Sequence, residues 1–158
     1  MNSENQNLQA RLAAHPFLLG MDTHQIGMMA TYALPAHFDA AELIFRTGEL
    51  AHRFYLIESG TVVIEGRVLD EPSVIIDTIS AGDLLGWSWL FPPYLWHFDA
   101  RATEPTVALS FDATILRQHY SEDLTLAHEL FKRMSQVMVR RLQAARRKLI
   151  EATQKSAG

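Results

Sequence analysis

The residues best able to do chemistry in this 158-residue chain crowd into one aromatic stretch, Trp87-Ser88-Trp89-Leu90-Phe91-Pro92-Pro93-Tyr94-Leu95-Trp96-His97-Phe98, which holds all three tryptophans. Rings of this kind take up planar or apolar groups by stacking, while Ser88, Tyr94 and His97 supply hydrogen bonds that orient a ligand. The same rings suit two other uses. Turned inward they plug an apolar core, and turned outward they form a patch that docks a protein partner. Gly86 precedes the stretch and Arg101 follows it. The candidate ligand-binding residues are therefore Gly86, Trp87, Ser88, Trp89, Tyr94, Trp96, His97, Phe98 and Arg101.

Other reactive groupings are missing from the sequence. The seven histidines (His15, His24, His37, His52, His97, His119 and His128) include no pair one residue apart followed by a glutamate, so no metal ligand set is expected. There is no glycine-rich phosphate loop, nucleophile elbow or His-Glu-x-x-His motif. Glu49 and Asp83 read as turn residues, not as catalytic carboxylates. The absence of cysteine excludes disulfides, thiolate-ligated iron–sulfur clusters and thiol redox sensing. No enzymatic activity and no catalytic residue are expected.

The elements that position the aromatic stretch follow from periodicity. With 48% apolar and 20% charged residues the chain is expected to form one soluble globular domain. No apolar run approaches the ~20 residues of a membrane span, and the polar opening Met1-Asn2-Ser3-Glu4 is no signal peptide, which predicts a cytoplasmic protein without a membrane partner. Residues 1–35 read as helical, with Leu8 and Leu12 on one face, breaks near Pro16 and Gly20, and Asp22 or Thr23 capping a second helix. From His37 to Phe111 short β-type runs take over, at 43–45, 54–57, 61–65, 74–79 and 98–102, each bounded by turn residues. This pattern predicts a closed or sandwiched β structure.

Asp112 reads as the cap of a short helix carrying Ile115 and Leu116, and Ser121 as the cap of a long one running to about Ala152. On that helix Leu124, Ala127, Phe131, Met134, Met138, Leu142, Ala145 and Leu149 recur at spacings of three and four, the stripe expected of a homodimer interface. The alternative is that Met134, Val137 and Met138 only pack back onto the β domain. Charge divides at the same place. Residues 1–120 hold 14 acidic and 6 basic side chains, whereas 121–158 hold 4 acidic and 8 basic. The expected organisation is a mainly β domain with N-terminal helices over 1–120 and a long C-terminal helix over 121–158, one structural domain in all.

Three separated motifs add a resemblance over nearly the whole chain. They are Phe54-Tyr55-Leu56-Ile57-Glu58-Ser59-Gly60-Thr61-Val62, then Gly82-Asp83-Leu84-Leu85-Gly86, then Ala100-Arg101-Ala102. In this order they resemble the cyclic-nucleotide-binding domain of catabolite-activator and fumarate-nitrate-regulator type sensors. The resemblance implies a jelly-roll β-roll (a double-stranded β-helix) with N-terminal helices and a long C-terminal dimerisation helix. It also implies a tight hairpin at Gly60 and a phosphate-binding cassette after Gly86.

In that family the residue after the cassette glycine is a glutamate that holds the ribose, and an arginine later pairs with the cyclic phosphate. Those positions fall on Trp87 and Trp96 here. Strand alternation places Trp96, Phe98, Ala100 and Ala102 on one inward face, with His97, Asp99 and Arg101 opposite. Losing a buried charge pair costs about 2–5 kcal/mol, so the usual mode of cyclic nucleotide binding is weakened. Backbone N–H groups of Trp87, Ser88 and Trp89 remain as anion donors.

Regulators of this family continue into a helix-turn-helix, which the sequence up to Gly158 does not contain. Specific DNA binding is therefore not expected, and the basic residues Arg140, Arg141, Arg146, Arg147 and Lys148 predict at most non-specific phosphate contact. The expected function is a small-ligand sensor, with a cyclic nucleotide as one candidate ligand and no required cofactor. In it the ligand reorders the aromatic segment and shifts the dimer. The alternative is a ligand-free adaptor that docks a partner through the aromatic patch or the basic helix.

Overall fold

The computed structural model describes residues 3–157; Met1, Asn2 and Gly158, where the polar opening begins and the chain ends, lie outside the described residues. The chain divides into two compact units, one up to Asp123 and one from Leu124. The first opens with α1 (Ser3–Ala14), a 3-10 turn over Pro16–Leu18, and α2 (Thr23–Tyr32). Asp22 closes a capping box on α2. Its carboxylate accepts the Gln25 N–H at 2.7 Å, and the Gln25 side chain accepts the Asp22 N–H at 3.3 Å.

Eight strands follow: β1 (Ala33–Phe38), β2 (Leu43–Phe45), β3 (Arg53–Ser59), β4 (Thr61–Gly66), β5 (Val74–Ser80), β6 (Leu84–Leu85), β7 (Asp99–Ala102) and β8 (Thr106–Asp112). They form two four-stranded antiparallel sheets, in the order β1-β8-β3-β6 and β2-β7-β4-β5. This is the jelly-roll architecture, with helices before and after the strands. Residues that alternate inward along each strand, among them Phe54, Leu56, Val62, Ala100, Ala102, Leu109 and Phe111, make the core and are fully buried.

Two features correct the sequence reading. The β region starts at Ala33, ahead of His37, and β1 contains Pro35. A proline fits there because β1 is the outer strand of its sheet, with β8 on one side and no further strand beyond it among the described residues. Gly60 does not close a hairpin. β3 pairs with β6 and β8, whereas β4 pairs with β5 and β7, so the single residue between them carries the chain from one sheet to the other. Its φ of 95° is left-handed, and a Cβ there would lie 2.6 Å from the Pro105 carbonyl oxygen and on the Thr106 side chain.

After β8, the Asp112 carboxylate accepts the N–H groups of Thr114 and Ile115 at 2.9 and 3.2 Å and caps α3 (Ala113–Tyr120). The long helix differs from its expected bounds. α4 spans Leu124–Ala157, and Ser121 is the C-cap of α3 instead of the N-cap of α4. Within α4 Leu124, Phe131, Val139, Leu142, Leu149 and Ile150 are exposed, and Glu129 pairs with Arg133 one turn on at 3.2 Å.

The corner makes a testable demand. Gly60→Ala is expected to destabilise the fold by about 2–3 kcal/mol in urea denaturation, through positive φ and the clash with Pro105. Gly27→Ala, within α2 and with only the Gln9 amide at 4.0 Å from the added carbon, is expected to stabilise by about 0.5–1 kcal/mol. Equal effects at the two positions would refute the corner's role.

Candidate functional site

β6 ends at Leu85 and the chain turns through Gly86 with a φ of 98°. A Cβ at Gly86 would lie 2.6 Å from Cη2 of Trp96, so the indole edge rests on a bare Cα. The same indole stacks on Phe45 of β2, centroids 3.7 Å apart and planes within 9°. Only 6% of Trp96 reaches solvent. Its main chain is held as firmly: the Trp96 N–H donates to the Glu49 carbonyl at 3.0 Å, and its own carbonyl accepts the Gly48 N–H at 2.8 Å. The Ala51 N–H donates to the Tyr94 carbonyl at 2.7 Å, and Leu50 bridges Leu95. Residues 94–96 are thus zipped to the loop at 48–51.

The first half of the stretch forms a 3-10 turn over Ser88–Leu90, with Trp87 and Ser88 half-buried. Trp89 is fully buried and heads an aromatic stack. Its ring lies 5.0 Å from Phe54 at 13°, and Phe54 lies 4.8 Å from Phe111 at 9°. Tyr120 lies tilted to the Trp89 ring with centroids 5.9 Å apart, and burial pushes the Tyr120 hydroxyl pKa up against the opposing pull of Arg117. Trp89 Nε1 is buried and has no hydrogen-bond partner among the described residues.

Arg117 of α3 ties the stretch together. Its Nη1 donates to the Trp89 carbonyl at 2.6 Å, and its guanidinium carbon lies 4.2 Å from the centre of the Tyr94 ring. A backbone carbonyl and an aromatic face therefore engage this cation from two parts of the cassette.

The nine candidate residues are not all brought together. Gly86 and Trp96 meet directly, while Trp89 and Tyr94 meet through Arg117. Ala100 and Ala102 face inward as the alternation predicted, but Phe98 does not: it lies before the start of β7, is 44% exposed, and leans with Ile76 over Gly66. His97 is exposed. Arg101 points away from the interior, donating from Nε to Glu65 at 3.2 Å and from Nη1 to the Ala41 carbonyl at 2.9 Å. Asp99 accepts from the N–H and hydroxyl of Thr47 at 2.8 and 3.0 Å.

Sequence reasoning missed Phe45 and Arg117, which do most to hold the cassette. Phe45 carried a signal as the last residue of an apolar run that pairs with β7. Arg117 carried none beyond a basic residue near a helix end. Among the described residues no three His, Cys, Asp or Glu side chains cluster to hold a metal ion, and no described helix is long and apolar enough to cross a membrane.

The sequence model of the family described as cyclic nucleotide-binding domain matches residues 35–123. Acetyltransferase Pat of Mycolicibacterium smegmatis is 34% identical over 77 residues, which is 49% of this chain and 23% of that protein. Among solved structures, a cyclic nucleotide-binding domain from Methylobacillus flagellatus superposes with a TM-score of 0.81 at 14% identity, covering 94% of this chain and 85% of that one. The regulatory subunit of a cAMP-independent protein kinase A from Trypanosoma cruzi, bound to guanosine, superposes with a TM-score of 0.63 at 22% identity, covering 76% of this chain and 47% of that one.

The Arg117 tie gives a local prediction. Arg117→Met keeps most of the apolar stem and removes the donor, so it should cost about 1–3 kcal/mol by leaving the Trp89 carbonyl unpaired. It should also speed amide exchange at residues 87–96 ahead of the β-sheets. Unchanged exchange there would show that the guanidinium does not hold the cassette.

Proposed function

The chain belongs to the cyclic nucleotide-binding domain family, and from that membership we propose a non-enzymatic, cytoplasmic regulatory module whose pocket takes a planar, uncharged ligand of the purine nucleoside type. The observation that carries this reading is the Trp96 indole, stacked on Phe45 and set against Gly86. At the position where the resemblance expects an arginine for the cyclic phosphate, a neutral ring fills the space. A phosphate brought there would lose water without gaining a charged partner. A nucleobase carries no such requirement and can stack on Phe45 once the indole rotates away.

The guanosine-bound Trypanosoma cruzi protein supports the idea that this fold accommodates a nucleoside without a phosphate. In this reading the backbone bonds from Trp96 to Glu49 and Gly48 hold the main chain in place while a ligand displaces the indole from Phe45 and Gly86. The matched part of Pat is less than a quarter of that protein, and we assign no acetyl transfer to this chain.

Arg117 touches both halves of the cassette, and α3 ends at Tyr120, just ahead of α4. A ligand that disturbs the cassette thereby acts on the segment that leads into α4. We assign α4 to homodimerisation through Leu142 (51% exposed), Leu149 (68% exposed) and Phe131, which lie on one stripe of the helix. The adaptor reading draws on one different observation, the exposed pair Phe98 and Ile76 over Gly66, which a protein partner would cover.

Calorimetric titration separates these readings. Guanosine or adenosine should bind and quench tryptophan fluorescence, with cyclic AMP and cyclic GMP binding no tighter. Trp96→Ala, or Trp96→Leu if the first does not fold, should tighten nucleoside binding at least 10-fold by removing the competing ring. Micromolar cyclic AMP binding would overturn the proposal, and so would an absence of nucleoside binding in both wild type and variant. For the dimer, Leu142→Glu combined with Leu149→Glu should weaken association at least 10-fold in sedimentation velocity; an unchanged dimer would reject the stripe.

A further inference from the structure

Away from the cassette, His15 is a buried titratable group at a joint between three segments. It sits between α1 and the Pro16–Leu18 turn and is only 4% exposed. Its Nε2 lies 2.8 Å from the Ile57 carbonyl of β3, and its Nδ1 lies 3.2 Å from the Phe17 backbone nitrogen. A carbonyl only accepts and a backbone N–H only donates, so the partners assign the tautomer: Nε2 carries the hydrogen and Nδ1 is bare.

The Ile57 carbonyl also accepts the Gly82 N–H at 2.8 Å, and the Ile57 N–H donates to the Asp83 carbonyl at 3.0 Å. One carbonyl therefore joins the N-terminal segment, β3 and the turn that leads to Gly86. Pro16 closes the same joint from above. A Cβ at Gly82 would lie 3.1 Å from Pro16 Cγ.

We propose that His15 is a proton-operated latch that holds the Pro16–Leu18 turn on β3 and on the Gly82 turn, and that protonation releases both. A second ring hydrogen on Nδ1 would face the Phe17 N–H, donor against donor, inside a buried joint. As the turn that carries Phe17 is pushed away, it draws His15 off the Ile57 carbonyl and Pro16 off Gly82, which opens the joint on both sides.

The charged groups facing the imidazole are Glu58 on β3, Asp83 ahead of β6, and Arg11 on α1, which binds Glu58 through both Nε, at 3.0 Å, and Nη2. Burial is the dominant influence and lowers the His15 pKa from its ordinary 6.5. The Ile57 hydrogen bond and the two carboxylates oppose it in part. Folding favours the neutral ring, so the latch is closed above pH 6.5 and its stabilisation is lost as pH falls below that value, where the unfolded chain takes up the proton first.

The test is amide-exchange protection on the full chain at pH 7.5 and 5.5, corrected for intrinsic rates, together with an NMR titration of the His15 ring nitrogens. The wild type should lose at least 10-fold in protection at Phe17 and Gly82 on acidification, with Val62 and Ile79 changing less. His15→Gln retains a donor and an acceptor but does not titrate, so its protection should not depend on pH. An equal acid loss in His15→Gln would overturn the latch. If that variant does not fold, the wild-type titration decides: a pKa below 6.5 with hydrogen on Nε2 supports the latch, and a pKa at or above 6.5, or hydrogen on Nδ1, refutes it.

Discussion

Gly86 can carry no side chain because the Trp96 ring lies where its Cβ would be, and that ring is pinned by Phe45 on its face and by main-chain bonds to Glu49 and Gly48. From this one contact the rest of the cassette follows. The chain must leave β6 with a left-handed turn, the return segment must run beside the 48–51 loop, and Tyr94 is delivered beneath Arg117. A larger residue at position 86 or a smaller one at position 96 would loosen all three at once.

On the proposed reading, in which Trp96 stands where the family has an arginine, aromatic area in place of charge changes which state of the roll is comfortable. A guanidinium held in a dry pocket without its anion is costly by several kcal/mol. A buried indole removes roughly 150–250 Å² from water, worth about 4–6 kcal/mol at 25 cal/mol per Å². The roll is therefore satisfied by its own side chains, packed by Trp96 on Phe45 at one place and by the Trp89–Phe54–Phe111 stack at another. The unpaired Trp89 Nε1 is the exception, a polar atom that the packing leaves without an acceptor among the described residues.

Much of this was legible in the sequence, and the gaps have physical causes. A closed or sandwiched β structure, the Asp22 and Asp112 caps, the strands at 43–45 and 61–65 and the outward turn of Arg101 follow from local pattern, and the jelly-roll form from the family resemblance. β1 was hidden by Pro35, which argues against a strand unless the strand is known to be an outer one. The role of Gly60 was misread because a glycine between two alternating runs looks the same whether the runs pair or part company. Phe98 follows the inward parity but lies before β7 begins, where parity no longer holds. Phe45 and Arg117 are far in sequence from the residues they hold, and no local spacing reports such contacts.

The pairing of β1 with β8 also sets an order of events for the nascent chain. Ala33 stands opposite Phe111, and β8 is the central partner of both β1 and β3. The first sheet has no middle until the last strand has been made, so a polypeptide emerging from the ribosome holds β1 and β3 without the strand that joins them. Contacts so distant along the chain place folding in the slow range of β-sandwich topologies, about milliseconds to seconds. During that interval the aromatic segment has its earlier partners, Phe45 and Phe54, but not Phe111, Arg117 and Tyr120, which complete its packing.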